Sequence, residues 1–355
     1  MDDFEHGGDA AQAARELGIP LAEILDFSAS INPLGMPGEV LEAARRALEE
    51  AEHYPEVDAV SLISDLSRFH DIPAEHFLAG NGSTELIYLF PRVMHPRHAL
   101  LVAPAFSEYA RSLQLEGAEI DLFALRAQES FRFDPELLLH RLAPDHDLIL
   151  FANPGNPTGV GIDPATVEAI AYAVREQAVV AVDEAFVDFC PELSVLSRVP
   201  HHSNLYVFRS FTKFYAIPGL RAGYLAGPAL GISHLKEAQE PWALSAPALA
   251  AARACLPRKE FRHRTLETVS RLREQLATGL SALGVHPFPS RANYLLARLE
   301  NGSGTAAELA ALLRPQGILI RDCANFFPLD ERYLRVAVRR EAENERLLAA
   351  LRMAR

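Results

Sequence analysis

Cysteine is scarce in this 355-residue chain: Cys190, Cys255 and Cys323 lie far apart and are odd in number. They form neither a disulfide framework nor a CxxC metal pair, and fit incidental thiols of a reducing cytosol. No apolar run approaches the roughly 18 residues that span a bilayer. The opening MDDFEHGGDA is acidic and polar, without the basic start or apolar stretch of a signal peptide. A cytoplasmic protein is therefore expected. Basic charge is also in deficit. The net charge of −13 argues against nucleic acid and anionic membrane as partners, yet leaves room for a locally basic pocket that takes a small anion. Fixed-period repeats, low-complexity tracts and Gly/Ser linkers are lacking as well.

What remains is the composition of an ordinary globular chain, long enough for two domains with separate cores. Apolar, β-rich runs at His98–Ala103, Asp147–Asn153, Ala178–Phe186 and Leu205–Phe211 read as buried strands. Helical periodicity fills Ser107–Leu115, Pro135–Leu142 and Pro164–Glu176 between them. Such alternation predicts an α/β fold with a mainly parallel sheet covered on both faces. After Pro257 the texture changes. A long charged helix near Lys259–Leu283 leads to short strands near Ala292–Leu299 and Tyr333–Val338, the pattern of a smaller α+β domain. Residues 1–40 are turn-rich and too few for their own core. The expected division is 1–40 joining the small domain, 41–257 as the large domain and 258–355 as the small one.

In an open parallel sheet, ligands bind beyond the carboxyl ends of the strands. Polar features follow those ends in order. Asn153-Pro-Gly-Asn156-Pro-Thr-Gly159 follows one strand, Asp183-Glu184 ends the next, and Ser210-Phe-Thr212-Lys213 ends the one after. Arg221 lies eight residues past the lysine. Singly, these read as turns, a helix cap and a solvated charge. Gly80-Asn-Gly82-Ser83-Thr84 precedes an apolar helix, and free N–H groups at a helix start suit a phosphate.

Together, the set resembles the type I aminotransferase fold of pyridoxal-phosphate (PLP) enzymes along the whole chain. The resemblance implies that PLP is the cofactor and that Lys213 bonds to it. Ser210, Thr212, Arg221, Gly82 and Ser83 would then hold its phosphate. It also implies that Asp183 pairs with the ring nitrogen, Asn156 donates to the phenolic oxygen and Phe106 stacks on the ring. Tyr54, in His53-Tyr54-Pro55, falls where a tyrosine reaches the phosphate of the neighbouring subunit, which implies a homodimer. Phe186 departs from the many relatives that carry a tyrosine there. The lost donor is expected to let the cofactor-bound lysine keep its proton to higher pH.

Fold alone does not select a reaction. Arg335, in Tyr333-Leu-Arg335-Val, matches the family arginine that grips a substrate carboxylate. Arg321, in Ile320-Arg321-Asp-Cys, matches one that binds a distal phosphate in histidinol-phosphate aminotransferases and their relatives. His6-Gly7-Gly8 and the run Asp26-Phe27-Ser28-Ala29-Ser30-Ile31-Asn32-Pro33-Leu34-Gly35 resemble L-threonine-O-3-phosphate decarboxylases of cobalamin biosynthesis. The expectation is decarboxylation of that phosphorylated amino acid, with His6, Gly7, Asn32 and Arg321 at its phosphate and Arg335 and Asn156 at its carboxylate. The alternative is a histidinol-phosphate aminotransferase using 2-oxoglutarate.

Overall fold

The computed structural model describes residues 6–354. Strand β1 (Leu25–Asp26) belongs to the N-terminal segment. The large domain carries β2 (Phe77–Gly80), β3 (His98–Ala103), β4 (Glu119–Ala124), β5 (Leu148–Ala152), β6 (Val179–Asp183), β7 (Leu205–Ser210) and β8 (Gly223–Ala226). They form one sheet in the order β2-β8-β7-β6-β5-β3-β4. Only β8 runs against the others, pairing antiparallel with both β2 and β7. Strands β5 and β7 are almost wholly buried because helices cover both faces, which is why they read as unbroken apolar runs.

The sequence pattern anticipated four of these seven strands. It passed over β2, β4 and β8 for physical reasons. Edge strand β4 alternates charged and apolar residues and is largely exposed. The other two are four residues long and begin or end on glycine.

The smaller sheet has the order β12-β13-β10-β9, from β9 (Val285–Pro287), β10 (Tyr294–Leu299), β12 (Arg321–Asp322) and β13 (Tyr333–Ala337). The 24-residue helix Lys259–Ala282 packs on it through Leu272, Leu276 and Leu280. The N-terminal segment joins this side: β1 pairs in parallel with β11 (Ile318–Leu319), and Phe27 is buried in the same core. Among the described residues, no helix is long and apolar enough to cross a membrane.

Three of the large-sheet strand ends converge on one place. Asp183 closes β6, Ser210 closes β7, and Asn156 follows β5. Because β8 is reversed, Arg221, two residues before its start, arrives at that same edge.

Candidate active site

A cavity at this edge is lined from both domains, including His6, Ser83, Phe106, Asn156, Asp183, Ser210, Thr212, Lys213, Arg221, Arg321 and Arg335. Gly7 lines it too. Lys213 lines it beside Arg221 and Arg335. Burial, with the Arg335 and Arg221 charges beside it, pushes its ammonium down to about 8. A neutral amine, the form that attacks a carbonyl, is thus accessible near physiological pH.

The phosphate-type cradle is built from two glycines and an arginine. Gly82 has φ +78° and opens the helix Gly82–Met94, and a Cβ there would lie 2.5 Å from Arg221 Nη2. Across from it, a Cβ on Gly223 would lie 2.6 Å from the Ser83 nitrogen. The guanidinium, the helix start and the strand therefore meet at distances that only glycine permits. Ser210 Oγ and Thr212 Oγ1 are 2.8 Å apart beside it. Helix N–H groups, two hydroxyls and a bidentate cation are the donor set that a phosphate monoester requires.

Asp183 lies at the base of the cavity. Its Oδ1 accepts the Ala185 N–H at 2.8 Å, and its Oδ2 accepts the Tyr109 hydroxyl at 2.5 Å. Burial raises its carboxyl from the ordinary range, against the Tyr109 and Ala185 hydrogen bonds and the Lys213 charge. Sequence reasoning missed Tyr109, which sits on the helix Ser107–Leu115 with only its chain neighbours to announce it. Phe106, at the start of that helix, meets Tyr109 edge-on at 5.7 Å. Phe186 also lines the cavity, with Tyr294 edge-on at 4.9 Å. The Tyr294 hydroxyl is turned away and donates to Gly155 O at 2.6 Å.

The arginines come together in the small sheet. Arg321 and Arg335 are register partners on antiparallel β12 and β13, and both are buried. That register brings two guanidinium groups to one wall of the cavity. Arg335 donates Nη1–H to Asn156 Oδ1 and Nη2–H to Ser28 O, the latter at 2.7 Å. Arg321 donates to Asn325 Oδ1 at 2.9 Å and lies over the Phe326 ring. Ser30 lines the cavity, and its buried hydroxyl has no hydrogen-bond partner among the described residues.

Two expected residues sit elsewhere. Asn32 does not line the cavity: its Nδ2 donates to Phe214 O and Thr265 Oγ1, its Oδ1 accepts Leu34 N–H, and its own N–H donates to Lys213 O. With its amide used up, Asn32 braces the lysine loop rather than offering a hydrogen bond to a substrate phosphate. Tyr54 is 81% exposed, stacked on Trp242 at 4.6 Å, and does not reach this chain's own cavity.

At the far end of β3, His98, Asp121 and His146 bring possible metal-ligand atoms within 4.8 Å of one another. His146 Nδ1 accepts the Ala143 N–H at 2.7 Å, so the proton of a neutral ring is on Nε2, facing Asp121 at 3.3 Å. That proton occupies the lone pair a metal would need.

The aminotransferase class I and II family model matches residues 22–351. Threonine-phosphate decarboxylase of Salmonella typhimurium is 41% identical over 98% of this chain and 95% of its own length. Histidinol-phosphate aminotransferase of Roseiflexus castenholzii is 34% identical over 96% of this chain and 92% of its own. Among solved structures, L-threonine-O-3-phosphate decarboxylase from Porphyromonas gingivalis superposes with TM-score 0.84 at 26% identity, covering 93% of this chain and 98% of that one. With the family model matching residues 22–351, nearly its whole length, the chain belongs to the aminotransferase class I and II family.

Proposed function

We infer that this protein is a PLP-dependent decarboxylase that converts L-threonine-O-3-phosphate to (R)-1-amino-2-propanol phosphate, a step of cobalamin biosynthesis. The observation that carries the reading is that His6 and Gly7, from the N-terminal motif, line the same cavity as Arg321 and Arg335, an arrangement suited to a substrate with two anionic groups. The sequence similarity to a threonine-phosphate decarboxylase supports the same choice.

PLP, when bound, supplies an electron-accepting ring that takes up the electrons of a broken Cα bond. The cavity's residues fit it. Lys213 would be the residue to which it bonds. Gly82, Ser83, Ser210, Thr212 and Arg221 would hold its phosphate, and Asp183 would keep its ring nitrogen protonated. Phe106 would cover the ring, and Asn156 would serve its phenolic oxygen.

The chain's own residues then orient the substrate. Arg335, braced by Asn156 and Ser28, would hold the carboxylate, while Arg321, His6 and the Gly7 backbone would take the phosphate. Fixing the molecule at both ends would set which of its Cα bonds is presented for cleavage. Lys213 Nζ, whose ammonium is pushed down to about 8, is suited to return a proton to the substrate carbon. In this reading the enzyme is a cytoplasmic homodimer, and the exposed Tyr54 reaches the partner's cofactor phosphate. The proposed division has 1–40 joining the 258–355 domain, which would close over 41–257.

The test is product analysis of PLP-loaded protein given L-threonine-O-3-phosphate and no keto acid. Release of CO₂ with aminopropanol phosphate is the expected result. Absence of CO₂, with turnover of histidinol phosphate once 2-oxoglutarate is added, would establish the aminotransferase instead.

A further inference from the structure

Glu108 has no role in the chemistry above, yet its carboxylate is almost wholly buried beside the cavity. It sits in the first turn of the helix Ser107–Leu115, directly after Phe106 and Ser107. His6 Nε2 lies 2.9 Å from its Oε1, an ion-pair distance, and that buried oxygen accepts no hydrogen bond among the described residues. Tyr88, from the helix Gly82–Met94, donates its hydroxyl to Oε2, and Arg111 Nη1 stands 3.8 Å from the same oxygen. The contact with Glu108, after burial, raises the Tyr88 hydroxyl to about 12, so it remains a donor. The His6 ring also packs against Phe106 at 5.6 Å.

The rest of the N-terminal strap is pinned just as closely. Gly7 has no room for a Cβ, which would fall 2.4 Å from Ser28 O, the oxygen that accepts from Arg335. Gly8 N–H donates to Ser28 Oγ at 2.9 Å. His6 is therefore held from two sides, by the backbone behind it and by Glu108 in front.

We propose that Glu108, backed by Tyr88, is the positioning residue that fixes His6 for recognition of the substrate's phosphate. This rests on the reading that His6 meets that phosphate. A carboxylate on one ring nitrogen sets the orientation of an imidazole and leaves the other nitrogen for the ligand. Here Nε2 stands against Glu108, which leaves Nδ1 as the atom to face a phosphate oxygen. A ring already seated against a carboxylate is oriented before the ligand arrives, whereas an unheld half-exposed side chain loses rotamer entropy on every binding event. Burial of Glu108 separates this pair from ordinary surface ion pairs, which contribute little.

The experiment uses the PLP-loaded full chain and compares wild type with Glu108→Gln, Tyr88→Phe, His6→Ala and the double variant His6→Ala/Glu108→Gln. KM and kcat are measured with L-threonine-O-3-phosphate and with unphosphorylated L-threonine. Glu108→Gln is expected to raise KM for the phosphorylated substrate about tenfold, which corresponds to about 1.4 kcal/mol. KM for L-threonine and affinity for PLP stay within twofold. The double variant is expected to be no worse than His6→Ala alone, because the two residues act as one unit. Tyr88→Phe, which removes a single hydroxyl, gives a smaller rise of the same selectivity and carries the test should Glu108→Gln fail to fold. Equal loss with both amino acids, or effects that multiply in the double variant, would overturn the assignment. Should wild type favour neither amino acid, the decarboxylase reading fails. Calorimetric titration of holoenzyme with inorganic phosphate then decides for Glu108 alone: weaker binding in Glu108→Gln supports it, and equal binding overturns it.

Discussion

Replacing Lys213 by methionine is expected to stabilise the cofactor-free protein at neutral pH, and the gain is expected to fade as the pH rises. The wild-type ammonium is lowered from an ordinary 10.5 to about 8, first by burial and then by the Arg335 and Arg221 charges. Below about pH 8 the lysine is protonated in the folded and the unfolded chain alike, so the fold bears the full cost of holding that cation. Between about 8 and 10.5 only the unfolded chain retains the proton. Unfolding must then take one up, and wild-type stability climbs with pH. A shift of about 2.5 units at about 1.4 kcal/mol each sets the cost near 3 kcal/mol at pH 7 and about 1.4 kcal/mol at pH 9.5. These are upper figures, because the side chain opens on the cavity and water there screens part of the charge. Methionine keeps the length of the stem without the charge. Thermal melts of both PLP-free proteins at pH 7 and pH 9.5 are the assay, with Tm gains of a few degrees expected at pH 7 and roughly half of that at pH 9.5. A difference between variant and wild type that does not change with pH would refute the electrostatic reasoning, whatever its size.

Three further outcomes follow from the site. Tyr109→Phe removes a hydrogen bond to a buried carboxylate, worth about 1.5–3 kcal/mol; PLP titration is expected to show affinity reduced about tenfold or more, and unchanged affinity would sever Tyr109 from cofactor binding. Asn32→Ala leaves the Phe214 carbonyl and the Thr265 hydroxyl without its amide, so Tm falls while the preference for L-threonine-O-3-phosphate over L-threonine is retained. Loss of that preference with unchanged Tm would return Asn32 to the substrate. Phe186→Tyr adds a donor on the cavity wall, and the pH midpoint of the holoenzyme's visible absorbance is expected to fall; an unmoved midpoint would show that the added hydroxyl does not reach the cofactor's phenolic oxygen.

Local pattern and order along the chain determined much of this protein. Buried parallel strands announce themselves as apolar runs, and β3, β5, β6 and β7 were legible for that reason. The residues that close them, Asp183 and Ser210, and the loop residues Asn156 and Lys213 were legible because a parallel sheet delivers its strand ends to one edge. The fold class followed from the same alternation. The reversed strand β8 left no such mark, since direction is a property of pairing and not of composition. Tertiary structure alone decided what the polar side chains face. Asn32 and Ser30 stand two positions apart in one motif, yet the Asn32 amide is saturated by backbone and threonine away from the cavity while Ser30 lines it. Arg321 and Arg335 are fourteen positions apart and became a pair only through the register of β12 on β13. Tyr109 and Glu108 are neighbours on one helix, but the first reaches Asp183 and the second reaches His6, about a hundred positions earlier. Composition and periodicity report what each residue prefers, whereas a hydrogen-bond partner distant in sequence exists only once packing has brought the two atoms together.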